Sequence, residues 1–267
     1  MEKIRLDSLL KDLGLFESRE KARKAIENKS IKIDNEIVTN PAKKYDNSVK
    51  IQIIGDPNKY VSRGAYKLEK ALNVFNINVE NRIATDIGSS TGGFSDVLIQ
   101  NGIKRVYCID VGKDQLHQKI RESERSVVME ETDFRNIQLS DIHGTDLIVI
   151  DVSFISIEPI VSKIAELFKG KGVDVVSLIK PQFECGKNIA KKYKGVIKDK
   201  LLHKKIVEQV ILYWKSYGFN IVGLDLSPIK GGDGNIEYLL FTTTDENILK
   251  NNYNIDQVIE EAHNKKC

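Results

Sequence analysis

The stretch TDIGSSTGG, residues 85–93, joins two segments of different periodicity. IATDIG (83–88) is a short apolar run that predicts a buried strand, and GFSDVLIQNG (93–102) predicts a helix that ends at Gly102. A glycine-rich turn that follows a strand and opens a helix lies at the carboxyl end of a parallel sheet, where open α/β sheets bind ligands. The stretch therefore predicts an α/β fold with a ligand site at this turn.

The turn lacks the GxGxxG spacing with which dinucleotide-binding enzymes bring backbone amides to a pyrophosphate. Instead, Asp86 ends the strand, Gly88 follows it, and Gly92 and Gly93 precede the helix. This arrangement resembles the first motif of S-adenosylmethionine-dependent methyltransferases, in which the acidic residue helps to organise the methionine end of the cofactor. The resemblance implies cofactor contacts from Asp86, Gly88, Ser90, Thr91, Gly92, Gly93 and Phe94. The alternative is a tight turn with a structural role only.

Two further aspartates follow the next predicted strands. Asp110 ends RVYCID (105–110), 24 residues after Asp86, a spacing typical of a carboxylate that accepts hydrogen bonds from ribose hydroxyls. Asp133, in ETDFRN (131–136), lies where many methyltransferases hold the adenine amino group, although an Asp in a loop is also typical of a helix cap. We expect both to complete the cofactor site.

The rest of this region repeats the pattern of apolar strand and helix. Further strands are predicted in DLIVIDVSF (146–154), VDVVSLIKP (173–181), IVGLDL (221–226) and GNIEYLLFTTT (234–244). Helices are predicted in ISIEPIVSKIAELFKG (155–170) and LLHKKIVEQVILYWKSYGF (201–219). Continuous apolar strands that alternate with helices predict a mostly parallel sheet covered on both faces.

The first part of the chain has a different pattern. IRLDSLLKDLG (4–14) and FESREKARKAIENKS (16–30) predict two helices, and short strands follow, with a turn at Asp34-Asn35. Gly55, Pro57 and Gly64 mark a linker. We therefore predict a small α+β domain at 1–59, a linker at 60–66 and the α/β domain at 67–267.

Composition narrows the classes of function. The 267 residues carry a net charge of +3, and the basic excess lies in residues 1–59. A phosphate-binding surface and a solvated amphipathic helix are both consistent with this excess. No apolar run approaches the roughly 20 residues of a membrane span, and MEKIRLDSLLKDLG has no secretory pattern. The three cysteines form no metal motif. We expect a cytoplasmic protein without a metal or a membrane partner.

Four charged residues occupy unusual places in the α/β domain. Asp151 ends the strand DLIVI, Lys180 ends VVSLI, Lys67 lies on the entering helix, and Glu237 lies within an otherwise apolar strand. A buried carboxylate is costly unless it is paired. Each residue could be a cap or an exposed terminus, but four such charges at sheet ends favour one site.

The chain closely resembles the TlyA family of rRNA 2′-O-methyltransferases, also called hemolysin A, over nearly its whole length. The matching blocks are RLDSLL…ESREKARKAI, YVSRGAYKLEKAL, DIGSSTGGFSDVLIQNG, DVSFISI, LIKPQFE and SPIKGGDGNIEYLL. The resemblance implies a Rossmann-like sheet of seven strands of the FtsJ type and an N-terminal RNA-binding module shared with ribosomal small-subunit protein four. It also implies a catalytic tetrad of Lys67, Asp151, Lys180 and Glu237.

The family resemblance implies transfer of a methyl group from S-adenosylmethionine to a cytidine ribose of ribosomal RNA. Lys180 would remove the proton of the 2′-hydroxyl, and a lysine can do so only where a neighbouring cation or burial favours its neutral form. Ribosomal RNA or ribosomal subunits would be the partner. The residues expected to bind RNA are Arg5, Arg19, Lys21, Arg23 and Arg63.

Three other functions compete with this one. Base methyltransferases carry Asn/Asp-Pro-Pro-aromatic after the fourth strand, where this chain has Asp151-Val-Ser-Phe154. A membrane-lytic protein would need a long apolar helix or a barrel-like series of strands. A ribosome assembly factor without enzymatic activity would need only the N-terminal module.

Overall fold

A computed structural model describes residues 3–27, 29–54, 59–246 and 253–264. The chain divides into two compact units, Met1–Arg63 and Gly64–Cys267. This division falls inside the predicted linker, whereas the limits predicted for the two domains stay a prediction. Gly55 and Pro57, which marked the linker, lie outside the described residues, as does Cys267.

The first unit contains two helices and two small sheets. Its elements in chain order are β1 (Ile4–Arg5), α1 (Leu6–Asp12), α2 (Arg19–Glu27), β2 (Ile31–Ile33), β3 (Glu36–Ile37), β4 (Lys44–Tyr45) and β5 (Ile51–Ile53). β1 pairs with β4, and β2 lies between β3 and β5. Helix α1 starts later than predicted, because Ile4 belongs to a strand, and Leu13 on its predicted apolar face is exposed.

The turn predicted at Asp34-Asn35 is confirmed, and the start of α2 has a side-chain cap. Ser18 Oγ accepts a hydrogen bond from Lys21 N at the start of α2, and Asp34 and Asn35 both have positive φ in the turn between β2 and β3. That conformation matches the twist of a two-residue hairpin. Buried aliphatic side chains of α1, α2 and β2 form the core.

The second unit is built on one sheet with helices around it. Its strands are β6 (Ile83–Ile87), β7 (Arg105–Ile109), β8 (Ser126–Met129), β9 (Leu147–Ile150), β10 (Asp174–Ile179), β11 (Asn220–Leu226) and β12 (Tyr238–Thr243). Its helices are α3 (Ala65–Val74), α4 (Gly93–Gln100), α5 (Gln118–Arg121), α6 (Glu158–Leu167), α7 (Pro181–Glu184), α8 (Lys187–Lys192), α9 (Lys200–Ser216) and α10 (Ile255–Asn264).

The sheet has seven strands in the order β11-β12-β10-β9-β6-β7-β8. The strands from β10 to β8 in this order are parallel, whereas β12 is antiparallel to both of its neighbours. The strands and helices predicted for this unit are confirmed by its elements. The strand expected to contain Glu237 begins only at Tyr238. Glu237 therefore lies directly before β12, at the end of the sheet where the parallel strands finish.

Candidate active site

The four charged residues predicted from the sequence lie together at the carboxyl ends of the parallel strands. Asp151 follows β9 and Lys180 follows β10. Because β12 runs in the opposite direction, its first end lies at this edge, and Glu237 precedes it. Lys67 comes from the first turn of α3. Sequence-distant elements therefore place two lysines and two carboxylates together.

The four side chains form a continuous series of ion pairs. Lys67 Nζ lies 2.7 Å from Glu237 Oε2 and 3.3 Å from Asp151 Oδ2. Lys180 Nζ lies 2.5 Å from Asp151 Oδ1. Glu237 is only 3% exposed, so its pairing with Lys67 explains how a charged residue is tolerated beside this apolar strand.

Lys180 has a second partner that the sequence did not single out. Its Nζ donates a hydrogen bond to Ser153 Oγ at 2.8 Å. Asp151 and Ser153 belong to the same loop, residues 151–157, between β9 and α6. The loop therefore holds the terminal amine of Lys180 from two sides.

The charges in this site stabilise one another. Burial by itself lowers the pKa of Lys67, but the carboxylates of Asp151 and Glu237 outweigh it and raise the pKa above its ordinary value. Burial likewise opposes ionisation of Asp151, but Lys67 and Lys180 outweigh it and hold its pKa below the ordinary value. Lys67 therefore stays an ammonium group and Asp151 a carboxylate at neutral pH.

The glycine-rich turn adjoins this site. Gly88 has φ +81°, and a Cβ built there would lie 2.9 Å from the carbonyl oxygen of Asp151. A side chain at position 88 would therefore collide with the loop that carries Asp151. This glycine is required by the close approach of two backbone segments.

Asp110 binds the turn through one carboxylate oxygen and the backbone after β7 through the other. Oδ2 accepts from Ser90 N at 2.8 Å, and Oδ1 accepts from Gly112 N at 2.7 Å. The carboxylate is half-buried, and Val111 beside it is exposed. Each oxygen retains a lone pair, so the end of β7 offers acceptors next to an apolar surface.

Asp86 lies deeper than the other predicted cofactor residues. Its side chain is fully buried, and Oδ2 accepts hydrogen bonds from Ser95 N and Ser95 Oγ in α4. Burial raises its pKa to about 7. Oδ1 makes no hydrogen bond to any residue that the structure describes. Asp86 thus supports the first turn of α4 from inside the sheet.

Other residues of the turn differ in their accessibility. Ser90 and Thr91 are exposed, whereas Gly93 and Phe94 are buried at the start of α4. Gly92 has φ +88°, and a Cβ there would lie 2.9 Å from Leu116 Cδ1. The backbone around Ser90 is therefore the part of the predicted cofactor turn that faces outward.

Asp133 is engaged by a neighbouring arginine. Arg135 Nη2 lies 2.5 Å from its Oδ2, and its Oδ1 accepts from Arg135 N at the start of a 3-10 turn, Phe134–Asn136. The guanidinium lowers the pKa of Asp133. The structure therefore gives this residue a capping geometry, and its contact with adenine stays a prediction.

One exposed aromatic residue next to the tetrad was missed by sequence reasoning. Phe154 is 87% exposed and has φ +68°, which is rare for a bulky side chain. Its ring centroid lies 5.1 Å from that of Phe183 in α7. The only signal in the sequence is its place directly after Asp151-Val-Ser.

The basic residues predicted to bind RNA in the first unit are exposed but paired. Arg5 and Arg19 contact Asp7, Lys21 contacts Glu17, and Arg23 contacts Glu27. The hydrogen bond from Arg5, together with Arg19, lowers the pKa of Asp7 to about 2. Arg63 is half-buried at the end of this unit. The ion pairs of Lys21 and Arg23 are exposed on both sides and therefore weak, whereas Asp7, the partner of Arg5 and Arg19, is buried.

The described residues contain neither a metal-binding cluster nor a membrane-spanning helix. Among residues 3–27, 29–54, 59–246 and 253–264, no group of three or more His, Cys, Asp or Glu side chains could hold a metal ion. No helix in those ranges is both long and apolar enough to cross a bilayer.

Comparisons with known proteins agree with this geometry. Residues 60–244 match the FtsJ-like methyltransferase model, and residues 4–48 match the S4 domain model. YqxC of Bacillus subtilis is 44% identical over 241 residues, which cover 90% of this chain and 85% of that protein. The 16S/23S rRNA (cytidine-2′-O)-methyltransferase TlyA of Mycobacterium tuberculosis is 36% identical, with 90% of each chain covered.

A solved structure extends the similarity to the fold of nearly the whole chain. A protein from Streptococcus thermophilus that carries the name hemolysin is 40% identical, with a TM-score of 0.74 over 98% of this chain and 96% of that one. The fold is therefore shared with a solved structure.

Proposed function

The chain belongs to the FtsJ-like methyltransferase family, and from that premise we propose that it methylates the 2′-hydroxyl of a cytidine in ribosomal RNA. The observation that carries the proposal is the series of ion pairs joining Glu237, Lys67, Asp151 and Lys180 beside the glycine-rich turn. The substrate is proposed from the name of the TlyA relative, an rRNA (cytidine-2′-O)-methyltransferase.

The donor of the methyl group is S-adenosylmethionine, and the residues at the carboxyl edge fit it. Asp110 offers carboxylate lone pairs for ribose hydroxyls, Val111 beside it offers an exposed apolar contact, and Ser90 and Thr91 are exposed on the adjoining turn. When bound, the cofactor supplies an electrophilic methyl group. Asp86 supports this site through α4.

Lys180 is proposed to take the proton from the ribose hydroxyl. Its Nζ, in the neutral form, would accept the hydroxyl proton. The 2′-oxygen would bond to the methyl group that a bound cofactor supplies, and the electron pair of the broken carbon–sulfur bond would stay on the cofactor's sulfur. Asp151 and Ser153 hold that nitrogen in place. Such alignment of reacting groups is worth about 7–11 kcal/mol in well-oriented systems.

Lys67 has a different part in the proposed site. Because its pKa is raised by two carboxylates, it stays charged and fixes Asp151 and Glu237 relative to each other. The matching charges also limit the cost of burying either carboxylate. We therefore propose that Lys67 and Glu237 position Asp151 and Lys180, the pair that contacts the substrate.

The S4 domain is proposed to bind the ribosomal RNA or subunit, and the reaction to take place in the cytoplasm, where ribosomal subunits are. Arg5, Arg19, Lys21 and Arg23 would exchange their carboxylate partners for phosphates. Because an A-form duplex presents no readable base edges in its deep groove, the target nucleotide should lie in a loop or be turned out of its helix.

The test is transfer of a labelled methyl group from S-adenosylmethionine to small subunits, large subunits and naked rRNA, followed by nucleoside analysis. We expect 2′-O-methylcytidine with the wild type and none with Lys180→Ala. Lys163→Ala is a matched control, since Lys163 is another poorly exposed, ion-paired lysine, on α6. No transfer to any substrate, with RNA binding retained, would favour an assembly factor instead.

A further inference from the structure

We propose that Glu184 is a positioning residue of this active site, whose carboxylate holds loop 151–157 in the conformation that brings Asp151 and Ser153 to Lys180. The inference rests on the proposed function. The Glu184 side chain acts on Lys180 through the loop, whereas the four side chains of the tetrad contact one another directly.

The loop sets the position of the proposed base. Lys180 Nζ has contacts with Asp151 Oδ1 at 2.5 Å and with Ser153 Oγ at 2.8 Å. Both oxygens belong to loop 151–157. A shift of the loop would therefore move both partners of the amine at once.

The middle of the loop, residues 153–155, has little packing of its own, whereas Val152 and Ile157 pack into the core. No helix or strand is formed between β9 and α6, and the side chains of Ser153, Phe154 and Ile155 are exposed. Phe154 adopts φ +68°, and such a conformation costs about 1–3 kcal/mol and persists only where its surroundings fix it. The loop therefore needs contacts from elsewhere to keep this shape.

Glu184 supplies those contacts. Its Oε1 accepts a hydrogen bond from Ile157 N at 2.7 Å, and its Oε2 accepts one from Ser156 Oγ at 2.7 Å. Both carboxylate oxygens are thus used on the last two residues of the loop. Charge-assisted hydrogen bonds of this length are among the stronger ones in proteins.

The geometry links Glu184 directly to Lys180. Helix α7 begins immediately after Lys180, and Glu184 lies one turn later, with its N–H directed to the Lys180 carbonyl at 3.3 Å. The other end of the loop is held by Asp151 N, which donates to Ile87 O in β6 at 3.1 Å. The loop is therefore fixed at one end to the sheet and at the other to the helix that directly follows the proposed base.

The first arm of the test is steady-state methyl transfer by Glu184→Ala and Glu184→Gln. Glutamine can still accept from Ile157 N through its carbonyl oxygen and can donate to Ser156, so it should keep kcat within about threefold of the wild type. Alanine leaves the loop without either contact, and kcat should fall by at least about tenfold, since misplacement on the order of 1 Å can cost about 10²-fold. KM for S-adenosylmethionine should change little in both variants.

The second arm is hydrogen exchange of the intact protein, which does not depend on activity. Amides of residues 152–157 should exchange faster in Glu184→Ala than in the wild type, while those of β9 and β10 should not change. The control is Asp141→Ala, which removes a carboxylate that accepts from Gln138 N at the start of another short helix; it should leave this segment unaffected.

The two arms separate failure of the inference from failure of the proposed function. Unchanged exchange in residues 152–157, or an equal loss of kcat in the alanine and glutamine variants, would overturn the positioning role. If the wild type transfers no methyl group to RNA, the proposed function fails, and the exchange experiment still decides whether Glu184 holds the loop.

Discussion

Gly231 leaves the space that the carboxylate of Glu237 occupies. A Cβ built at position 231 would lie 2.5 Å from Glu237 Oε1 and 3.2 Å from its Cδ. The same carboxylate forms the 2.7 Å ion pair with Lys67. A glycine outside the cofactor turn thus determines where the tetrad's buried carboxylate can lie.

We expect Gly231→Ala to displace Glu237 and to lower kcat for methyl transfer by about 10- to 100-fold, because displacements on the order of 1 Å have effects of this size. The measurement is single-turnover transfer to ribosomal subunits, with thermal unfolding to exclude a loss of folded protein. Gly232→Ala is the matched control, since a Cβ there meets no atom within 4 Å. Equal activity of the two variants would contradict the steric argument.

Replacement of Lys67 by methionine should destabilise the protein strongly. The substitution leaves Asp151 and Glu237 without the cation between them, and breaking such a buried pair typically costs about 3–5 kcal/mol. The free energy of unfolding in urea measures this loss. The same replacement at Lys163, whose partner Glu166 is exposed, should cost about 1 kcal/mol or less.

A double variant distinguishes charge from packing in this prediction. Lys67→Met leaves Glu237 without its cation, whereas Asp151 keeps its ion pair with Lys180. Adding Glu237→Gln removes that unpaired carboxylate, so the double change should cost less than the sum of the two single changes. Strict additivity would show that the ion pair contributes nothing beyond the volumes of the side chains.

The stability of the protein should depend on pH through Asp86. Its carboxyl ionises near 3.8 when unfolded, but its pKa is about 7 in the folded protein because it is buried. The folded state therefore binds more protons between these values, and the contribution of Asp86 to stability is lost as pH rises from about 4 to about 7. Over this interval the loss is on the order of 4 kcal/mol.

Asp86→Asn should remove this dependence, since an amide carbonyl can still accept from Ser95 but does not ionise. The measurement is the free energy of unfolding of both proteins at several pH values between 4 and 8. The variant should gain stability relative to the wild type as pH increases. Parallel curves would show that Asp86 does not titrate in this range.

Phe154→Ala should impair methylation through RNA binding rather than cofactor binding. The exposed ring beside the tetrad can stack on an unpaired base, and such stacking is worth about 1–3 kcal/mol per base. We therefore expect kcat/KM for ribosomal subunits to fall by about 5- to 150-fold, with Phe154→Tyr close to the wild type. Leu212→Ala, at another exposed apolar residue, is the control.

Binding of RNA by the S4 domain should depend strongly on salt. Each phosphate contact contributes about 0.7–0.9 to the slope of log K against log salt concentration. Replacing Arg5, Arg19, Lys21 and Arg23 together by glutamine should flatten this slope, as measured by filter binding of rRNA. A slope that did not change between low and moderate salt in the wild type would exclude these phosphate contacts.

The sequence by itself determined the elements that depend on local order. The apolar run before Gly88, the turn at 88–93 and the helix after it follow from periodicity and from glycine, and so does the hairpin turn at Asp34-Asn35. The four charges of the tetrad could also be singled out from the sequence. Asp151 and Lys180 directly follow apolar strands, Glu237 lies in an apolar run, and Lys67 lies on the helix that enters the domain. These signals involve neighbours in the chain, so they can be interpreted without knowledge of the fold.

Tertiary structure decided how these charges pair and which carboxylate lies inside. Lys67 lies between Asp151 and Glu237 because antiparallel insertion of β12 brings residue 237 to the edge where β9 ends. Asp86 is a buried support of α4, and Glu184 reaches the loop of Asp151 from another helix. The contacts of Lys67 and Glu184 join segments far apart in sequence, and only the packing of the sheet and its helices sets their distance.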